Sequence, residues 1–255
     1  MFTLNIEPVL FHLGSLEIRY YGLLYAFAFL VGYWYMRRRA KYLRWKLDVD
    51  VLFTYLIIGN LVGARLFEVL FYSPSYYFAN PLKILFLWQG GLSFHGGLVG
   101  GALALWWFCK KYKHSWLELA DVLVLPLAFG LFLGRIANFL NGELFGYPSS
   151  LPWAVDFGDG VFRHPTQLYE SLKNLILFLL LVLLHRRLKK HAYPGYLLAV
   201  FLTAYGFFRF FLEFLKVPEQ LWLGFPVGQW LSAVMVLAGM VFFLYVRKAR
   251  RVVRH

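Results

Sequence analysis

The sequence predicts an all-α, polytopic membrane protein of seven transmembrane helices, with its N-terminus outside and its C-terminus in the cytoplasm. Three observations predict it. Hydrophobic residues fill 60% of the 255 positions and charged residues 15%, too little polar surface for a soluble domain of this length. Seven apolar runs each reach the roughly 17–25 residues needed to cross a bilayer. The basic residues sit in short clusters between those runs. That is the pattern of membrane topology rather than nucleic-acid binding, even at a formal net charge of +13.

The runs fall at 18–36, 49–71, 92–109, 117–138, 167–185, 193–215 and 227–246. Ahead of the first, MFTLNIEPVLFHLGSLEIR carries no basic n-region and no clear small-residue cleavage site, so it is expected to stay on the mature protein. RRRAKYLRWK (37–46) follows the first run with six Lys or Arg, and KKYK (110–113) follows the third with three. RRLKK (186–190) follows the fifth with four, and RKARRVVR (247–254) follows the seventh with five. Eighteen of the 26 basic residues thus follow odd-numbered runs, and positive-inside bias places those connections in the cytoplasm. An even number of spans would put neighbouring basic loops on opposite sides.

Arg19, Lys83, Arg163, Lys173 and Lys216 lie toward the opposite side, and Arg65, Arg135 and Arg209 lie within runs. PLKILFLWQGG, before the third run, is too short to cross alone and ends in a glycine pair, so it reads as re-entrant or interfacial. The longest connection, 139–165, holds three prolines and several glycines and reads as an outer loop. Spacings such as Gly59/Gly63, Gly96/Gly100, Gly97/Gly101 and Gly130/Gly134 permit close helix packing. No repeat or second domain is evident, so residues 1–255 read as one domain. The single cysteine, Cys109, rules out an intramolecular disulfide and argues against a cysteine metal site.

An ionisable group at the bilayer centre costs about 2.5–3.5 kcal/mol for Arg on insertion scales. Arg65, Glu68, His95, Arg135, Glu143, Arg209 and Glu213 are therefore the residues to explain. Arg65 and Glu68, three apart, are expected to pair, as are Arg209 and Glu213, four apart. Tyr205, Arg209, Glu213 and Lys216 form a polar stripe through YGFFRFFLEFLK. For either pair alone, a structural ion pair is an equal reading. Together, Arg65, His95, Arg135 and Arg209 fall toward the outer half of the membrane, where the available anion is a lipid phosphate. Arginine's planar fork of donors matches phosphate oxygens. Asn138, Asn141 and Glu143 add donors and acceptors in GRIANFLNGELFG (134–146), or else cap the end of their helix. On these residues alone the site is a lipid head-group site of open activity: a transporter, a channel or an enzyme.

GRIANFLNGELFG resembles the signature of the bacterial phosphatidylglycerol–prolipoprotein diacylglyceryl transferases. So do RYYGLLYAFAFLVG (19–32), GARLFEVLFY (63–72), WQGGLSFHGGLVGG (88–101), RHPTQLYE (163–170) and YGFFRFFLEF (205–214), in family order over nearly the whole chain. The resemblance implies a seven-helix enzyme of the bacterial inner membrane, without metal or cofactor, its active site toward the extracytoplasmic side. It implies transfer of the diacylglyceryl group of phosphatidylglycerol to the lipobox cysteine thiol of a prolipoprotein, releasing glycerol phosphate. By the same resemblance Arg135 and Arg209 hold the phosphate. Asn138, Asn141, Glu143 and Gly146 shape the head-group pocket, and Tyr21 and Tyr205 line it. His95 matches the family histidine proposed as general base. On chemistry alone a glycine-flanked histidine serves equally as a lipid ligand or loop anchor, and Glu143 or the arginine field could also promote the thiolate. His164 is assigned to the outer loop, and Gln167, Tyr169 and Glu170 to supporting positions.

A serine hydrolase built on Ser93 and His95 is the enzyme alternative. Two residues apart on a helix they point about 200° apart, and no G-x-S-x-G motif is present. A transporter would be expected to show matched halves, which seven runs do not provide.

Overall fold

The computed structural model describes residues 1–7, 9–13, 16–188, 193–218 and 221–253. Lys189 and Lys190 of the third basic cluster and Arg254 of the fourth lie outside the described residues. The chain divides into two compact units, one of residues 1–35 and 120–255 and the other of residues 36–119.

The helices, in chain order, are α1 (Tyr20–Leu43), α2 (Val49–Phe67), α3 (Pro74–Ala79), α4 (Phe94–Tyr112), α5 (Trp116–Leu140), α6 (Thr166–Leu188), α7 (Tyr196–Leu212) and α8 (Val227–Val253). Each of the seven apolar runs lies largely on a helix. Among the described residues, five helical stretches are long and apolar enough to cross a membrane: Val49–Tyr72, Trp116–Leu140, Thr166–Arg187, Tyr196–Leu215 and Val227–Lys248, with mean hydropathy from 1.5 to 2.0. α1 and α4 have the length, but tyrosines in α1, glycines and tryptophans in α4, and basic C-terminal turns dilute their apolar character. The chain is mostly helical rather than purely so. Short strands pair outside the long helices: β1 (Phe2–Thr3), β4 (Val155–Asp156) and β5 (Phe162–Arg163) form one sheet. β2 (Val9–Leu13) pairs antiparallel with β3 (Leu16–Arg19), and β6 (Leu221–Trp222) with β7 (Phe225–Pro226).

Local chemistry sets the helix ends. Asp48 caps α2, its carboxylate accepting from the amides of Asp50 and Val51 at 3.0 Å each. Ser93 caps α4 by accepting from the Gly96 amide at 3.2 Å. That capping bond, and the burial of Ser93, leave its hydroxyl ill placed to be a nucleophile. Asp121, buried on α5, accepts from the amides of Gly195 and Leu198 at 2.8 Å each and so holds the start of α7.

In the unit of residues 36–119, α2 and α4 pack with their glycines face to face. A Cβ at Gly63 would lie 2.7 Å from the Gly100 Cα, and one at Gly59 would lie 2.7 Å from the Gly100 carbonyl oxygen. This is the close small-residue packing that the spacing predicts. Among the described residues, a Cβ at Gly101 or Gly134 would, by contrast, meet no neighbour within 4 Å. In the other unit α5, α6 and α7 share a buried core of Val124, Leu125, Ala128, Leu177, Leu181, Leu197, Phe201 and Tyr205. Outward side chains such as Leu237 (64% exposed) and Val241 (66%) on α8 are apolar, as lipid contact requires.

Candidate active site

Where α5 ends, Gly142 takes a left-handed turn (φ +67°) and the amide of Glu143 bonds back to the Asn138 carbonyl at 3.1 Å. That turn folds the polar motif onto itself. The Asn138 amide donates to the Glu143 carboxylate at 2.7 Å, and Asn141 donates to the same oxygen at 3.4 Å. Arg135 donates to the Asn138 side-chain oxygen at 3.3 Å. Glu143 itself is exposed at the rim, and Gln167 of α6 ties down its backbone carbonyl at 2.6 Å.

Inward of this rim the organising residue is Glu170 of α6, 3% exposed. Arg135 Nε meets its Oε2 at 2.7 Å, and Arg209 Nη1 of α7 meets the same oxygen at 3.6 Å. A buried carboxylate demands such partners, because desolvation of an unpaired charge costs several kcal/mol. The expected Arg209–Glu213 pair also forms, at 3.9 Å. Both Arg209 ion-pair distances exceed hydrogen-bond length, so its guanidinium is held by charge without being saturated by carboxylates. Tyr205, one turn earlier on α7, is buried and lies in the electrostatic field of Arg209. Tyr21, in the first turn of α1, lies in the electrostatic field of Glu143 and Arg135.

Gly146 sits where backbones cross. Its amide donates to the His164 carbonyl at 2.9 Å, and a Cβ there would meet the Leu215 carbonyl, Thr166 and His164. Close backbone approach thus accounts for the glycine. His164 Nδ1 lies 3.3 Å from the Tyr169 hydroxyl, in keeping with its expected place in the loop.

Arg65 and His95 belong to the unit of residues 36–119. The expected Arg65–Glu68 pair is not the contact that forms. From Glu68 to Tyr72 the helix widens to a π turn, which changes the i,i+3 geometry, and Glu68 instead accepts from the Ser73 hydroxyl at 3.0 Å. Arg65 donates to the Tyr77 hydroxyl (2.9 Å) and to the carbonyls of Lys83, Ile84, Phe86, Gly90 and Gly91 at 2.7–3.0 Å. It thereby fixes the chain that the sequence suggests is re-entrant, which runs as 3-10 turns over Pro81–Leu85 and Leu87–Gln89. His95 is exposed in the first turn of α4, its Nδ1 3.3 Å from the Tyr72 hydroxyl.

Reading the sequence missed the centrality of Glu170 and the capping role of Asp121. Both are carboxylates inside apolar runs, and that signal alone marks a residue as needing a partner. The arrangement gathers two guanidinium groups around the buried carboxylates Glu170 and Glu213, with the side-chain amides of Asn138 and Asn141 at the rim.

The family profile for prolipoprotein diacylglyceryl transferase matches residues 8–245. A phosphatidylglycerol–prolipoprotein diacylglyceryl transferase of Rhodospirillum rubrum is 43% identical, over 96% of this chain and 94% of the relative. Relatives of the same name from Cupriavidus pinatubonensis (40% identical, 96% of this chain, 94% of the relative) and Bordetella avium (43%, 97% and 96%) match as fully. The chain belongs to the prolipoprotein diacylglyceryl transferase family.

Proposed function

We propose that this chain transfers the diacylglyceryl group of phosphatidylglycerol to the lipobox cysteine of prolipoproteins, forming a thioether and releasing glycerol phosphate. One observation carries the assignment of the site: Arg135 and Arg209 share a single buried carboxylate, Glu170, while Arg209 keeps unsaturated donors. The substrate thiolate attacks the glyceryl carbon beside the phosphate ester. A C–S bond forms, the C–O bond breaks, and its electron pair stays on the phosphate oxygen. Preorganised guanidinium groups stabilise that developing charge. Asn138, Asn141 and Glu143 orient the head group, with Tyr21 and Tyr205 beside it. His95 accepts the thiol proton, a task suited to imidazole because a free thiol ionises only near about pH 8.5.

The whole chain, 1–255, acts as one catalytic domain crossing the bacterial inner membrane seven times. Its N-terminus is outside and its active site faces the extracytoplasmic side, as the basic clusters after odd-numbered segments support.

The test is mass spectrometry of a lipobox peptide incubated with purified protein and phosphatidylglycerol. A diacylglyceryl adduct is expected on the cysteine and not on a serine control; no adduct from folded protein overturns the reading. For His95→Gln, turnover is expected to fall with lipid binding intact, and near-normal turnover removes His95 as the base.

A further inference from the structure

The charge balance around Glu170 shows what the two arginines leave undone. Arg135 and Arg209 face Glu170 and Glu213, so two guanidinium groups meet two buried carboxylates. Counting Glu143 at the rim, carboxylates outnumber them. An anion site needs a cationic surplus, and two lysines in the electrostatic field of Glu170 supply it: Lys173 and Lys216.

Lys173 lies on α6 one turn beyond Glu170, about 4.5 Å further along the axis. It is 7% exposed, and its buried ammonium has no hydrogen-bond partner among the described protein atoms. Its Nζ lies 4.0 Å from the centre of the Tyr205 ring, whose hydroxyl lies in the electrostatic field of Arg209. A cation over an aromatic face gains about 0.5–2 kcal/mol, well short of what an ammonium loses on leaving water. Next to it Asn174 is 1% exposed, and neither its amide nitrogen nor its carbonyl oxygen has a hydrogen-bond partner among the described residues. Buried polar groups in folded proteins are normally satisfied. Two neighbours left unsatisfied on the α6 stripe that bears Glu170 mark a place built for a polar ligand.

We propose that Lys173 is a further phosphate-binding residue of the site, its ammonium meeting the second negative charge that the phosphate gains as it leaves. The proposal rests on the reading under Proposed function. The lipid's phosphodiester carries one negative charge. The attacking thiolate brings another and ends as a neutral thioether, so the leaving monoester carries two. With the arginine charges offset by Glu170 and Glu213, the surplus comes from the two lysines: Lys216 balances the first charge, and Lys173, against the Tyr205 ring, the second. Lys173 therefore acts more on the transition state and on the released phosphate monoester than on the bound lipid.

The experiment compares Lys173→Met, which keeps the unbranched stem against Tyr205, and Lys173→Arg with the unaltered chain in lipid nanodiscs. It reads kcat, KM for phosphatidylglycerol, and inhibition by added glycerol 1-phosphate and by inorganic phosphate. For Lys173→Met, kcat is expected to fall roughly 10²-fold, the low end for losing one charge-stabilising donor. KM is expected to change little, inhibition by both free phosphates to weaken, and Lys173→Arg to recover most of the lost rate. A loss confined to KM would place Lys173 on the lipid diester and overturn the proposal. So would unchanged kcat and inhibition, which would leave the lysine a packing contact. Should Lys173→Met not yield folded protein, Lys173→Gln is read in the same way. Peptide transfer by the unaltered chain separates the two claims: if it occurs while the variants behave normally, only the role of Lys173 falls.

Discussion

Arg65 and the Arg135–Arg209 pair are arginines in apolar helices, and the fold treats them in opposite ways. The Arg65 guanidinium is consumed by one tyrosine hydroxyl and five backbone carbonyls and is stacked 4.9 Å from the Tyr77 ring centre. Its donors satisfy backbone carbonyls along the 3-10 turns over Pro81–Leu85 and Leu87–Gln89 and the glycines that follow. Arg135 and Arg209 are anchored by a shared carboxylate, and Arg209 is held at 3.6 and 3.9 Å, too far for its carboxylate partners to saturate it. A saturated arginine is structural, whereas one that is anchored but unsaturated can take a ligand.

The largest effects should come from the Arg135–Arg209 pair. Arg135→Ala or Arg209→Ala is expected to cut transfer at least about 10²-fold, as for loss of a charge-stabilising donor, while the protein stays folded and membrane-inserted. Full activity in either variant would sink the phosphate assignment. Arg65→Lys reverses the pattern, because an ammonium cannot reach five carbonyls at once. Thermal unfolding in detergent should show a loss of about 3 kcal/mol or more from buried acceptors left unpaired. The fraction that remains folded should turn over normally.

Gly100→Ala probes the unit that holds Arg65. A Cβ there would lie 2.8 Å from the Gly63 Cα, and overpacking of this kind costs about 1–3 kcal/mol, visible as a lowered unfolding midpoint. The smallest effect is expected for an exposed pair. Arg163 lies 2.6 Å from Asp159 and holds its carboxyl below the ordinary value. That contribution is present above the carboxyl's unfolded pKa and is lost as pH falls through the depressed folded value. Asp159→Asn should therefore leave transfer unchanged, and its slight difference in unfolding midpoint should vanish at acidic pH.

The helices were legible in the sequence because run length alone reports a span: α2, α5, α6, α7 and α8 coincide closely with the apolar runs. The short strands were not. A pairing such as Phe2 with Val155 depends on residues far apart in sequence brought together by the fold, with no period to announce it. In the site, Arg135 and Arg209 were visible through the cost of charge in lipid. Glu170 and Lys173 were read only as a supporting position and an outer-side charge, because the apolar average of their run gives no sign that their shared helix face is buried. The role of Arg65 was unreadable for another reason. Its partners are backbone carbonyls between Lys83 and Gly91, and only the folded path of that segment brings them to the guanidinium.

The most direct test of this distinction is equilibrium binding of phosphatidylglycerol to the purified protein, comparing Arg209→Ala with Arg65→Lys at a temperature where both are folded. Arg209→Ala is expected to lose most of its lipid affinity while Arg65→Lys binds like the unaltered chain. Unchanged binding by Arg209→Ala, or a loss confined to Arg65→Lys, would contradict the assignment of the phosphate to Arg135 and Arg209.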